Sequence, residues 1–359
     1  MKPIQVIAEA GVNHNGQPDL AFALIEAAAR AGADMVKFQT FKAEALVTRE
    51  APKAAYQQQA TGAAESQFEM LKRLELPFAL HHELKAEAER LGLRFLSTAF
   101  DGESLRFLRD ELGLELLKIP SGELTNAPFL LEHARSGCAL IVSTGMATLA
   151  EVEEALGVIA FGRIAGAEEQ PSSAAFRAAY TSVEGQAALR RDLTLLHCTS
   201  DYPAALESVN LRAMDTLHAA FGVPVGYSDH TQGASIALAA AALGAVVIEK
   251  HFTLDRTLPG PDHAASLEPL ELAAMIQGIR AIGQALGDGI KRPTPTEYST
   301  AQVARKSLVA RTTIRAGERF KPEHIAILRP GTGMPPMRYW ELLGRPASRD
   351  YEAGSLLDE

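Results

Sequence analysis

Two histidines stand at the ends of consecutive apolar runs. Val225-Gly226-Tyr227-Ser228-Asp229-His230-Thr231 is a short strand-like stretch closing on polar residues. After one helix-length stretch, Gly233 to Leu243, Val246-Val247-Ile248-Glu249-Lys250-His251-Phe252-Thr253 repeats the plan. If the two runs are neighbouring parallel strands, their ends lie about 5 Å apart. Two neutral imidazoles at that separation can share one metal ion. Two lysines, Lys37 in Val36-Lys37-Phe38-Gln39 and Lys118 in Leu117-Lys118-Ile119, sit in equally apolar surroundings. An inward lysine at a strand end is costly to bury without an anionic partner, so the pair points to a doubly charged ligand.

These residues need a scaffold that brings many strand ends together. Eight short apolar runs occur, Ile4–Ala8, Met35–Phe38, Phe95–Thr98, Leu116–Ile119, Leu140–Ser143, Leu193–Cys198, Val223–Tyr227 and Ala245–Glu249. Between them, stretches such as Asp19–Ala31, His82–Gly92, Glu103–Leu112, Leu149–Ile159 and Leu211–Phe221 carry apolar residues at helical spacing. Eight such units predict an α/β fold of the (β/α)₈ TIM-barrel type. A doubly wound sheet would want a glycine-rich phosphate loop after its first strand, and none follows Ile4–Ala8. Barrel active sites lie at the C-terminal strand ends. There the sequence places Glu9, Asn13 and His14, then Lys37 and Gln39, Ser97 and Thr98, and Lys118, Ser121 and Glu123. Ser143 and Thr144, His197, Thr199 and Tyr202, and the two histidines complete the ring.

Two segments break the repeat. Residues 41–80, with Pro52-Lys53-Ala54-Ala55-Tyr56-Gln57, follow the second strand on the catalytic face, where a long loop is expected to act as a lid or substrate-binding element. Tyr56 and Gln57 are its candidate contacts. Residues 162–192 precede the sixth strand on the other face and read as decoration. The barrel is expected to span 1–287. Residues 288–304, with Lys291-Arg292-Pro293-Thr294-Pro295-Thr296, read as a linker, and 305–359 as a small module that needs something to pack against.

Composition sets outer limits. The 359 residues are 47% hydrophobic and 22% charged with a net charge of −9 and no Lys/Arg run, which argues against a nucleic-acid or anionic-membrane partner. The longest apolar stretch, Ile236 to Ile248, falls short of the about 20 residues that span a bilayer. Two cysteines, Cys138 and Cys198, make no disulfide framework. With strand-like residues from Ile4 onward and no signal peptide, a cytoplasmic location is expected.

Taken as strings, the chain resembles the sialic acid synthase family. The matching stretches are Ala8-Glu9-Ala10-Gly11-Val12-Asn13-His14-Asn15-Gly16, Val36-Lys37-Phe38-Gln39-Thr40, Ser97-Thr98-Ala99-Phe100, Lys118-Ile119-Pro120-Ser121-Gly122-Glu123 and Ser143-Thr144-Gly145-Met146. Leu196-His197-Cys198-Thr199, Tyr227-Ser228-Asp229-His230-Thr231, Glu249-Lys250-His251-Phe252-Thr253 and Pro259-Gly260-Pro261-Asp262-His263 continue them. The C-terminal module looks like the antifreeze-like (SAF, β-clip) domain of these enzymes. Ser200 stands where some members have Asn, Ala99 where Pro is usual, and residues 162–192 have no evident counterpart.

The resemblance implies an enzyme that condenses phosphoenolpyruvate with an open-chain N-acetylated hexosamine and water, releasing phosphate. His230 and His251 would bind a divalent metal, Mn²⁺ or Mg²⁺, that polarises the sugar aldehyde. Glu9 would orient or deprotonate water. Lys37, Thr98, Lys118, Ser121 and Ser143 would hold phosphate and carboxylate. Gln39, Glu123, Tyr202 and Asp262 would meet sugar hydroxyls, with Ser200 and Ser228 also in the substrate-binding set. Arg329 would reach the N-acyl group in the partner's barrel, which implies a domain-swapped homodimer. N-acetylneuraminate from N-acetylmannosamine is the leading product expected. N,N'-diacetyllegionaminate from 2,4-diacetamido-2,4,6-trideoxymannose is the alternative, pseudaminate a third, and a non-catalytic sugar- or ice-binding protein the rival from another class.

Overall fold

The computed structural model describes residues 3–54, 57, 58, 62, 65–166 and 168–358. Eight parallel strands close into a barrel in chain order: β1 (Gln5–Gly11), β2 (Met35–Thr40), β3 (Arg94–Ala99), β4 (Leu116–Ile119), β5 (Ala139–Ser143), β6 (Leu193–Cys198), β7 (Val225–Asp229) and β8 (Val247–His251), with β8 pairing back onto β1. The TIM-barrel expectation is therefore met. β7 and β8 each start and end two residues later than the apolar runs suggest, because Pro224 and the turn at Gly244 delay the extended backbone.

The alternation of strand side chains explains how the site is mounted. Ile7, Met35, Leu96, Leu116, Ile141, Leu196 and Val247 form one buried apolar cluster, distinct from the larger core under the helices. Two residues further along each strand, on the same face, come Glu9, Lys37, Thr98, Lys118, Ser143, Cys198 and Glu249. The barrel interior is thus an apolar plug carrying a polar layer. On β7 the plug position is Gly226, where a Cβ would lie 2.4 Å from the Val247 carbonyl oxygen and 2.7 Å from Leu196 Cδ2. Only glycine fits that layer. Intervening residues such as Val6, Val36, Phe38, Val142 and Ile248 face the surrounding helices. Asp229 and Lys250 also alternate away from the plug face and pair at 3.0 Å, with both side chains fully buried.

The helices Pro18–Ala31, Phe78–Arg90, Ala127–Arg135, Leu149–Ile164, Ala213–Phe221, Ser235–Ala242 and Pro269–Ala285 surround the strands. The second begins four residues before the sequence pattern does, directly after Pro77. The expected helix Glu103–Leu112 is α-helical over Gly102–Arg106 and then widens into a π turn over Phe107–Glu111. Within 162–192 two further helices, Ser173–Thr181 and Val183–Asp192, pack on Leu149–Ile164, with Phe176 edge-on to Phe161 at 5.3 Å.

The chain divides into two compact units, Met1–Gly287 and Asp288–Glu359. Residues Pro295–Ala304, read as linker, form a helix. Pro295 occupies its first turn and Thr294 and Glu297 make a reciprocal capping box, so the prolines start a helix here rather than prevent one. The second unit also pairs β9 (Ser307–Ala310) with β10 (Ile325–Leu328) in antiparallel fashion. Its own core includes Leu308, Ile314, Phe320, Leu342, Tyr351 and Leu357. Among the described residues no helix is long and apolar enough to cross a membrane.

Candidate active site

A cavity of about 470 Å³ opens over the polar layer. Every barrel residue to which the family resemblance gives a catalytic, metal or substrate role lines it: Glu9, Lys37, Gln39, Thr98, Lys118, Ser121, Glu123, Ser143, Ser200, Tyr202, Ser228, His230, His251 and Asp262; of the other strand-end residues, Asn13, Ser97, Thr144 and Thr199 do not. Arg329 belongs to the second unit, where it is exposed. The segment 41–80 contributes residues that include Phe41, Leu46, Val47, Gln57, Gln67 and Leu71 to the lining, whereas Tyr56 lies outside the described residues. A second cavity of similar volume, between the helices Ala127–Arg135, Leu149–Ile164 and Ser173–Thr181, contains none of these groups.

The floor of the cavity is a chain of buried charges. Lys37 Nζ lies 2.8 Å from Glu9 Oε2, 3.6 Å from Glu249 Oε2 and 3.0 Å from Thr98 Oγ1. Lys118 Nζ lies 3.2 Å from Glu249 Oε1, which also accepts from Ser228 Oγ at 2.7 Å. Glu249 therefore bridges both lysines. Burial pushes its carboxyl up, but Lys118 and Lys37 outweigh that and hold it well below the usual carboxylate range. Burial likewise pulls Lys37 down, and the facing Glu249 and Glu9 more than compensate, so it stays protonated. Glu9 behaves differently. Burial is its largest influence and raises it to about 7 despite Lys37, which makes it able to take up or release a proton near neutrality. Glu123 stands apart from this chain of charges and accepts from Asn126 at 2.7 Å.

His230 and His251 face one another with ring centroids 5.6 Å apart. The His230 Nδ1 atom is 2.6 Å from the Thr199 carbonyl, which only accepts, so the proton sits on Nδ1 and the lone pair on Nε2, which lies 3.4 Å from Ser228 Oγ. His251 Nδ1 is buried without a hydrogen bond, 3.8 Å from Asp262 Oδ2. Burial lowers both rings, His230 to about 4 and His251 well below its ordinary value, and raises Asp262 to about 6. Neutral imidazoles are what a divalent cation needs. Among the described residues no group of three or more His, Cys, Asp or Glu side chains could hold a metal ion. An ion here would rest on the two imidazoles and complete its shell with water or substrate oxygens. Tyr202 covers His230 at 4.1 Å between centroids and meets His251 edge-on at 5.6 Å.

Ser121 and Ser200 meet at Gly145. Ser121 Oγ accepts from the Gly145 N–H at 3.0 Å and lies 3.2 Å from Cys198 Sγ. A Cβ on Gly145 would stand 2.4 Å from Ser200 Oγ and 2.8 Å from Ser121 Oγ, so a side chain there would displace both hydroxyls. His14 and His197 do not line the cavity. His14 Nδ1 accepts from the Gly16 N–H, burial lowers it to about 3, and His197 Nε2 donates to the Val209 carbonyl. Both are structural. Glu249 is the group the sequence reading passed over. Its signal was present, since it precedes His251 by two residues on one strand and must share its face.

Comparison with known proteins follows the same division of the chain. The model of the NeuB family matches residues 24–291 and that of the SAF domain residues 305–359. An N,N'-diacetyllegionaminic acid synthase of Campylobacter jejuni is 48% identical over 359 residues, covering all of both chains. One from Legionella pneumophila is 44% identical over 98% of this chain and 92% of its own. Among solved structures, an N-acetylneuraminic acid synthetase from Leptospira borgpetersenii, in complex with citrate, is 33% identical with a TM-score of 0.67, over 83% of this chain and 90% of that one.

Proposed function

The chain belongs to the NeuB family, and on that premise we propose that it condenses phosphoenolpyruvate with 2,4-diacetamido-2,4,6-trideoxymannose and water, giving N,N'-diacetyllegionaminate and phosphate. The observation that carries this reading is end-to-end similarity at 48% to a synthase of that product, against 33% for an N-acetylneuraminic acid synthetase. N-acetylmannosamine, the leading expectation from sequence, accordingly stands behind its alternative. An intact cluster of buried lysines and neutral histidines supports an enzyme over a non-catalytic sugar- or ice-binding protein.

In this reading Lys37 and Lys118 take the phosphate and carboxylate of phosphoenolpyruvate, and Thr98, Ser121 and Ser143 donate hydroxyl protons to the same oxygens. The enol carbon C3 forms the new bond to the sugar aldehyde carbon. Water adds to C2, and the C2–O bond to phosphate breaks. Glu9, poised near neutrality, orients that water and accepts its proton. A divalent cation on His230 and His251, Mn²⁺ or Mg²⁺, would polarise the aldehyde oxygen as a Lewis acid. Gln39, Glu123, Tyr202 and Asp262 hydrogen-bond the sugar, with Ser200 and Ser228 at the margins, and Arg329 of a second copy reaches its N-acyl group in a domain-swapped homodimer.

The test is phosphate release from phosphoenolpyruvate with Mn²⁺ and a panel of N-acetylated hexosamines, repeated after chelation. Release with the diacetamido sugar, higher than with N-acetylmannosamine and lost on chelation, is the expected result. No release with any sugar would remove the reading.

A further inference from the structure

The cavity is not polar throughout. Val12, Phe41, Met70 and Leu74 are buried together in an apolar cluster separate from the barrel's main core, and Leu46, Leu71 and Phe100 pack against them. All of these residues also line the cavity. The last three are only partly buried, so apolar surface is left facing the space a ligand would fill. Most of the wall comes from the segment after β2. The helix Gln67–Leu74 turns Met70, Leu71 and Leu74 toward it, at the i, i+1 and i+4 spacing of one helical face. The rest of the lining holds the lysines, Glu249 and the histidines.

We propose that this wall receives the methyl-bearing end of the sugar, the C6 methyl and the C4 acetyl group, so that Leu46, Leu71 and Phe100 set a preference for a 6-deoxy sugar over its 6-hydroxy counterpart. The proposal rests on the synthase reading of the same cavity. The aldehyde carbon must meet the enol carbon beside Lys37 and Lys118, so the carbons at the other end of the open chain extend away from the cradle. A C6 methyl against leucine and phenylalanine removes apolar surface from water on both partners. A C6 hydroxyl there loses water and finds aliphatic and aromatic carbon instead. A pocket of this kind discriminates against an added hydroxyl by about 10- to 100-fold in kcat/KM.

The experiment compares N-acetylmannosamine with its 6-deoxy analogue, which differ by one oxygen atom, in the wild-type protein and in Leu71→Gln and Leu46→Gln. The wild type is expected to favour the 6-deoxy sugar by about 10-fold or more, and each variant to cut that ratio by about 5-fold, through the sugar KM, with the KM for phosphoenolpyruvate unmoved. Thermal melting establishes that each variant is folded. A wild-type ratio near one overturns the proposal without recourse to any variant, as does an unchanged ratio in both folded variants. Turnover of both sugars without discrimination would leave the synthase reading standing and remove only the wall. Absence of phosphate release from these sugars and from the diacetamido sugar would remove both.

Discussion

Glu249 occupies the place where the proposed reaction needs an anionic reactant. Its carboxylate bridges Lys37, which also pairs with Glu9, and Lys118, and Ser228 holds it in position. A buried cation pair without that counter-ion would be strongly destabilised, since breaking a buried ion pair costs about 3–5 kcal/mol. If phosphoenolpyruvate binds as proposed, its phosphate and carboxylate bring their own charge and compete with Glu249 for both ammonium groups. Glu249→Gln is therefore expected to lower the melting temperature of the ligand-free protein. Inorganic phosphate or phosphoenolpyruvate should then raise it by a larger increment than in the wild type. Equal ligand-induced shifts in the two proteins would show that Glu249 is not the placeholder for the anion. The lysines themselves were legible as charged residues inside apolar runs. That both converge on one carboxylate was not, because it depends on barrel closure bringing β8 against β1 while all inward side chains meet at the axis.

At the scale of elements, the helix Ala127–Arg135 carries a buried histidine with a measurable consequence. His133 donates from Nδ1 to the Phe129 carbonyl at 2.9 Å, lies edge-on to the Phe129 ring at 4.4 Å, and has no partner at Nε2. Burial lowers it from 6.5 to about 4. The unfolded chain binds a proton there below about pH 6.5, and the folded protein resists doing so until about pH 4. Stability from this residue is thus complete above pH 6.5 and is lost as the pH falls toward 4. Between pH 7 and pH 5 the loss is about 2 kcal/mol for one such group. In His133→Gln, which cannot titrate in this range, the unfolding free energy should fall by about 2 kcal/mol less over that interval than in the wild type. An identical pH dependence in urea unfolding would refute this. The eight strands were readable because short apolar runs such as Leu140–Val142 end abruptly in polar residues. The helix Pro295–Ala304 was not, because two prolines in Pro293-Thr294-Pro295 signal a break unless the Thr294–Glu297 cap is weighed against them. The apolar wall was hidden for another reason. Val12, Phe41, Leu71 and Phe100 belong to three different strand-end segments and acquire a common face only in the closed barrel.

For the molecule as a whole, the two compact units raise the question of which barrel the second one serves. Arg329 is exposed and, among the described residues, has no ion pair: Glu323 lies within reach of Lys321, and Asp358 pairs with Arg349. The same unit also exposes Leu328, Met337 and Trp340. If Arg329 completes the site of the partner subunit, two inactive proteins should repair one another. An Arg329→Ala chain keeps both histidines but lacks the arginine, and a His251→Ala chain has the reverse defect. In a swapped heterodimer the barrel of the first receives Arg329 from the second, while the other barrel of that dimer carries both lesions. Random pairing makes about half of the dimers mixed, each with one of two sites restored, so co-expression should recover about a quarter of wild-type phosphate release. Arginine acting within its own chain predicts no recovery in the same mixture, because each chain then keeps its own defect whatever its partner.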